Sequence, residues 1–203
     1  MGERMPTDTL ALIAYIVSTT FTPGPNNITA TAAGVALGLK RSLSYLSGIA
    51  LGFFILMIAT GYFTFSLRSQ YSALGDIIRY IGFVYMLWLC VSLFVGKKNP
   101  ELQKRKYSFK NGMLLQLINP KVMLYGITLY GVFSKSLARN ALGILLSAMG
   151  LACIGFLAVL TWCSAGSAFN KRLSDKKTLL VFNIAMATLL LYSAFSILLD
   201  RKV

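Results

Sequence analysis

The sequence predicts an all-α polytopic membrane protein, with six transmembrane helices arranged as two inverted three-helix repeats whose first helices are broken by proline. Three observations carry that expectation. The 203 residues are 56% hydrophobic and only 13% charged, with a mean hydropathy of +0.68. A soluble domain of this length cannot hide so much apolar surface, whereas a bilayer solvates it. Apolar runs of spanning length occur six times, and the first and fourth of them contain proline at corresponding places.

Span one is read over Thr9 to Val35 and contains Phe21-Thr22-Pro23-Gly24-Pro25-Asn26-Asn27. Each proline removes a backbone donor and clashes with the carbonyl one turn earlier, so the helix must open here. In hydrocarbon, open backbone survives only where it is buried in protein or lines a wet cavity, which makes the break a candidate site. The run Leu10 to Phe21 followed by Ala30-Thr31-Ala32 has the outline of a signal peptide. A barely basic start argues for a retained span instead.

Span two runs from Ser42 to Leu67 and carries Gly48-x-x-x-Gly52, a small surface that lets helices approach closely. Span three covers Leu74 to Val95. Span four, Asn111 to Phe133, breaks at Leu117-Ile118-Asn119-Pro120-Lys121. Span five, Ala141 to Ala165, has Gly143, Gly150 and Gly155 as expected packing positions, and span six is Thr178 to Leu199. The chain reads as one transmembrane domain over 1–203, with repeat one at about 8–95, a basic loop at 96–110 and repeat two at about 111–200. A proline-interrupted span in the matching place of each half points to a binding site between inverted repeats.

The net charge of +14 arises from 20 Lys and Arg against 6 Asp and Glu. In a soluble protein that excess suggests nucleic acid. Here the basic residues fall between apolar runs, so topology and anionic lipid account for them and no nucleic-acid partner is expected. Loops after spans one, three and five hold twelve of the 20, among them Lys40, Arg41, Lys97, Lys98 and Lys110; the opposite side holds seven. The richer side faces the cytoplasm, which puts both termini in the periplasm. Cys90, Cys153 and Cys163 lie in apolar runs without a C-x-x-C pair, and there is no histidine. They read as small buried hydrophobes, and no metal site, cofactor or catalytic set is expected.

The chemistry of the breaks suits a small zwitterion. Half-helices restart near Asn26 and at Pro120, offering unpaired N–H groups and a partial positive charge to a carboxylate. Thr22, Asn26, Asn27 and Asn119 add neutral donors and acceptors, and the opened carbonyls before each proline can take an ammonium group. Lys121 is the one basic residue well inside a span, and two readings of it stand: it binds a carboxylate, or it snorkels to an interface. Tyr125 and Tyr130 follow the second break, and one of them is expected to line a cavity. No Asp, Glu or His occupies a span interior, so a carboxylate proton relay is missing.

Thr22-Pro23-Gly24-Pro25-Asn26-Asn27, Gly48 and Gly52, Tyr85-x-x-Trp88, Gly112 and Asn119-Pro120-Lys121 together resemble the LysE/RhtB family of amino-acid exporters over nearly the whole chain. The resemblance implies a six-span protein of the bacterial inner membrane that moves amino acids out of the cell, powered by proton uptake. The binding residues it implies are Thr22, Pro23, Gly24, Pro25, Asn26, Asn27, Gln116, Asn119, Pro120, Lys121 and Tyr125. Two departures, Phe53 where many members carry an acid and Gln116 where many carry Asn, look like the branch that exports cysteine and O-acetylserine. Phe53 also weakens the case for proton antiport. The expected partners are therefore a zwitterionic amino acid and the lipid bilayer; homo-oligomerisation stays open. Two other function classes stand as alternatives: metal-ion efflux, which lacks ligands here, and a non-transporting membrane scaffold or an intramembrane enzyme.

Overall fold

The computed structural model describes residues 5–66, 106–133, 140–169 and 176–199, together with 80, 83, 84, 87, 90, 91, 94 and 137. Seven helices account for the continuous stretches and there is no strand among the described residues. They are α1 (Met5–Phe21), α2 (Pro25–Leu37), α3 (Leu39–Ser66), α4 (Phe109–Leu117), α5 (Pro120–Val132), α6 (Ala141–Phe169) and α7 (Lys176–Leu199). Most of the third predicted span, including Tyr85 and Trp88, and most of the basic loop lie outside the described residues.

Both expected breaks are present. At 1.5 Å per residue the 17 residues of α1 and the 13 of α2 reach about 25 and 20 Å, so neither alone crosses a hydrocarbon layer of roughly 30 Å. The same holds for α4, with 9 residues, and α5, with 13. By contrast α3 and α6 have the length and apolar composition to cross unaided. Pro25 and Pro120 each open the second half-helix of a pair, where the missing N–H costs nothing.

Small residues set the closest helix crossings. A Cβ on Gly34 of α2 would strike the Cys163 carbonyl of α6, and one on Gly166 of α6 would strike the Thr31 carbonyl of α2. The α3–α4 crossing is built in the same way, Gly48 lying against the Phe109 carbonyl and Gly112 against the Tyr45 carbonyl. Backbone-to-backbone approach of this kind maximises dispersion contact, which matters where lipid tails remove the hydrophobic drive between helices.

The expected role of the span-five glycines needs correcting. Gly150 has nothing near its missing side chain, Gly155 meets only the Phe53 ring at 3.8 Å, and Gly143 faces its own helix start. The glycine of α6 that meets facing backbone is Gly166, about three turns beyond Gly155. Gly150 shares the exposed side of α6 with Leu142, Leu145, Leu146 and Met149, a surface suited to lipid. Cys153 is likewise exposed rather than buried, while Cys90 and Cys163 are buried as expected.

Two apolar clusters flank the breaks. One joins Phe53, Met57, Tyr125, Leu129, Tyr130, Ile144, Ala148 and Leu151 across α3, α5 and α6. The other joins Ala30, Ala33, Tyr45, Leu46, Ile49, Val159 and Cys163 across α2, α3 and α6. Tyr107 extends the second cluster, its ring edge-on to Tyr45 at 5.3 Å, and burial pushes its phenol pKa up. Gly38, with φ of 75°, turns the chain from α2 into α3, and Ser167 Oγ accepts the Leu39 N–H at 3.2 Å.

Candidate functional site

Opening a helix strands carbonyls, and here nearly every one around the first break finds a named donor. Pro25 cannot supply the N–H that Phe21 would receive in a continuous helix; the Trp162 indole Nε1 of α6 donates to that carbonyl at 3.2 Å. Asn27 Nδ2 donates to the carbonyls of Thr20 and Thr22, both at 2.9 Å. The Thr22 hydroxyl turns back on the Ser18 carbonyl. Lys121 Nζ reaches across from α5 to the carbonyls of Thr22 at 3.3 Å and Pro23 at 3.2 Å. An ammonium group at the C-terminal end of α1 is also favoured by the helix dipole.

The second break is closed more locally. Asn119 caps α5, its Oδ1 accepting the Lys121 N–H at 3.2 Å, and the Gln116 carbonyl orphaned by Pro120 accepts the Asn119 N–H at 3.1 Å. The two breaks then meet through side-chain amides. Asn119 Nδ2 donates to Asn26 Oδ1 at 2.8 Å, and Asn26 Nδ2 donates to Gln116 Oε1. Gln116 and Asn119 are fully buried, and Asn26 between them is half-buried. Gln116 Nε2 has no hydrogen-bond partner among the described residues.

Between these groups lies a cavity of about 40 Å³. Of the residues singled out in the sequence, Thr22, Gly24, Pro25, Asn26, Asn27, Asn119, Lys121 and Tyr125 line it. Pro23, Gln116 and Pro120 do not: Pro23 contributes only its carbonyl to Lys121, Gln116 orients Asn26 from behind, and Pro120 is packed at the helix start. Tyr125 is the tyrosine at the cavity, stacked on Tyr15 of α1 with ring centroids 5.7 Å apart. Tyr130 instead pairs its hydroxyl with Ser147 Oγ at 3.1 Å within the core. Sequence reasoning missed Thr19 and Thr20, which line the cavity from the last turn of α1, and did not assign the wall formed by Ile49, Ala50, Phe53 and Val159. Only the position of Phe53, one residue beyond Gly52, gave a signal for any of them.

Lys121 turns across to the first break, its ammonium held by the carbonyls of Thr22 and Pro23. It fills the carbonyl site that the sequence suggested for a ligand's ammonium group.

The LysE type translocator family matches residues 17–201, a stretch that contains both breaks and every cavity-lining residue. The chain belongs to that family. Among curated relatives of this LysE-family chain is a cysteine/O-acetylserine efflux protein of Klebsiella pneumoniae subsp. pneumoniae, 34% identical over 96% of this chain and 99% of the relative. The protein with the same name in Escherichia coli strain K12 is 32% identical over 95% of this chain and 98% of its own length. No solved structure matches the chain. Family membership and the apolar helices make this a membrane protein of a transporter family.

Proposed function

We propose that the chain exports small neutral amino acids or their derivatives, of the cysteine, O-acetylserine or homoserine kind, from the cytoplasm across the bacterial inner membrane. The observation that carries this reading is the meeting of two proline-broken helices at one polar cavity, joined by the Asn26–Asn119 hydrogen bond. The names of the relatives supply the substrate class. The N-termini of α2 and α5 offer partial positive charge to a carboxylate, and the C-terminal carbonyls of α1 suit an ammonium group. Neutral substrates fit because, among the described residues, the cavity lining has no carboxylate to balance a second cation.

In this reading the chain forms six spans in two inverted repeats, α1–α3 opening the first and α4–α6 the second, with both termini periplasmic. Alternating access follows from rocking one repeat against the other about the paired breaks. Proton uptake drives export. The cavity of about 40 Å³ has room for only a few water molecules, at roughly 10–15 Å³ each, so the site must widen to take its ligand.

The purified chain in liposomes under an imposed proton gradient tests the proposal. Uphill movement of cysteine or O-acetylserine, collapsing when a protonophore dissipates the gradient, is expected. Flux no greater than in protein-free liposomes for every amino acid tried would refute it.

A further inference from the structure

The geometry points to Lys121 as a built-in stand-in for the substrate's ammonium group, one that must change partners when an amino acid binds and so restricts transport to molecules with both a free amino and a free carboxylate group. This inference rests on the amino-acid transport reading above. It adds a role for one side chain and a chemical requirement that the substrate must meet.

Three observations converge on it. First, Lys121 Nζ sits on two carbonyls of the first break, those of Thr22 and Pro23, sharing the first of them with Asn27 Nδ2 at 2.9 Å. Asn27 and Trp162 hold the neighbouring carbonyls of Thr20 and Phe21. Second, the hold is weak for a buried charge. Both contacts are to neutral oxygens at 3.2–3.3 Å, longer than a charge-assisted bond to a carboxylate, and no acid lines the cavity among the described residues. Third, the lysine stem takes up the space a ligand needs. Its Cδ and Nζ lie 2.9 Å from where a Cβ on Gly24 would stand, directly over the break.

An entering zwitterion offers both halves of an exchange. Its ammonium takes the Thr22 and Pro23 carbonyls, and its carboxylate receives the displaced Lys121 ammonium beside the N-terminus of α2. Charge is conserved in the swap, since one cation replaces another on the carbonyls and the carboxylate pairs with the one that left. A ligand lacking the ammonium cannot displace Lys121, and one lacking the carboxylate leaves the displaced lysine buried without a partner. Phe53 and Tyr125, packed on one another at 6.1 Å between ring centroids, bound the space beyond the backbone groups and leave the side chain of the ligand loosely specified.

Counterflow of radiolabelled O-acetylserine in liposomes holding the full-length protein tests this directly. Unlabelled O-acetylserine, N-acetylserine and O-acetylserine methyl ester serve as competitors; the second lacks the ammonium and the third lacks the carboxylate. Each blocked derivative is expected to compete about thirtyfold more weakly, the loss of one charged hydrogen-bonding group. In Lys121→Gln, checked for a monodisperse gel-filtration profile, discrimination against the methyl ester should shrink to within about threefold. Counterflow with blocked derivatives competing as well as O-acetylserine itself would overturn the lysine exchange while leaving amino-acid transport intact. The same holds if Lys121→Gln keeps the full discrimination. Should the variant misfold, the two wild-type comparisons decide alone. Absence of any wild-type counterflow with O-acetylserine, cysteine or serine would bring down the transport reading and this inference with it.

Discussion

Gly24 and Lys121 illustrate how a residue's role depends on what crosses over it. The backbone at Gly24 is extended, with φ of −170° and ψ of −179°, a conformation open to any residue, so torsion does not demand glycine here. The Lys121 side chain does, because it lies where a Cβ would go. Gly24→Ala should therefore leave folding intact, since the far end of a flexible lysine can shift, while displacing Nζ from its two carbonyls. Export at matched membrane levels is expected to fall about tenfold, the equivalent of one charged hydrogen bond, and unchanged export would show that the lysine's seat is irrelevant. Lys121→Ala should impair export far more than Lys177→Ala, whose side chain is exposed at the start of α7. Equal effects would remove Lys121 from the site. Sequence made Lys121 conspicuous because a cation in an apolar span is costly wherever it points. Its direction was not legible, because its acceptors lie 98 and 99 residues away along the chain.

At the level of elements, the breaks were legible and their repair was not. Proline acts on its own helix, so Pro23, Pro25 and Pro120 announced both interruptions to within a residue or two. The donor that satisfies the Phe21 carbonyl comes from Trp162, 141 residues on, a separation that no local pattern spans. A double-mutant cycle tests the pairing. Trp162→Phe should cost about 0.5–1.5 kcal/mol by thermal unfolding in detergent, the loss of one hydrogen bond. In a Pro25→Ala background, where the backbone N–H is restored, the same substitution should cost little; equal costs in both backgrounds would break the link. Helix crossings give a second contrast. Gly34→Ala and Gly48→Ala push a methyl into facing backbone and should destabilise by about 1–3 kcal/mol, whereas Gly150→Ala should be neutral or raise stability by up to about 1 kcal/mol through helix propensity. A GxxxG spacing marked Gly48 in the sequence. Gly166 escaped notice because its partner face is on α2, outside any spacing within its own helix.

For the whole molecule, composition alone announced a membrane protein, since apolar runs of spanning length are a property of the chain rather than of its folding partners. What composition could not supply is the pairing of the two breaks, which depends on α2, α4 and α5 arriving at one point in space. From the balance of basic residues between loops we propose that both termini face the periplasm, where a C-terminal reporter fusion should be active; a cytoplasmic signal would reverse the orientation. In the proposed function export depends on both breaks acting as one polar site, and Asn26 bonds to the second break through both ends of its amide. The most direct measurement is export of cysteine and O-acetylserine by cells carrying wild type or Asn26→Ala at equal membrane abundance. Loss of export to the level of the empty vector, with the variant still inserted and folded, is the predicted result. Wild-type export by Asn26→Ala would contradict the account.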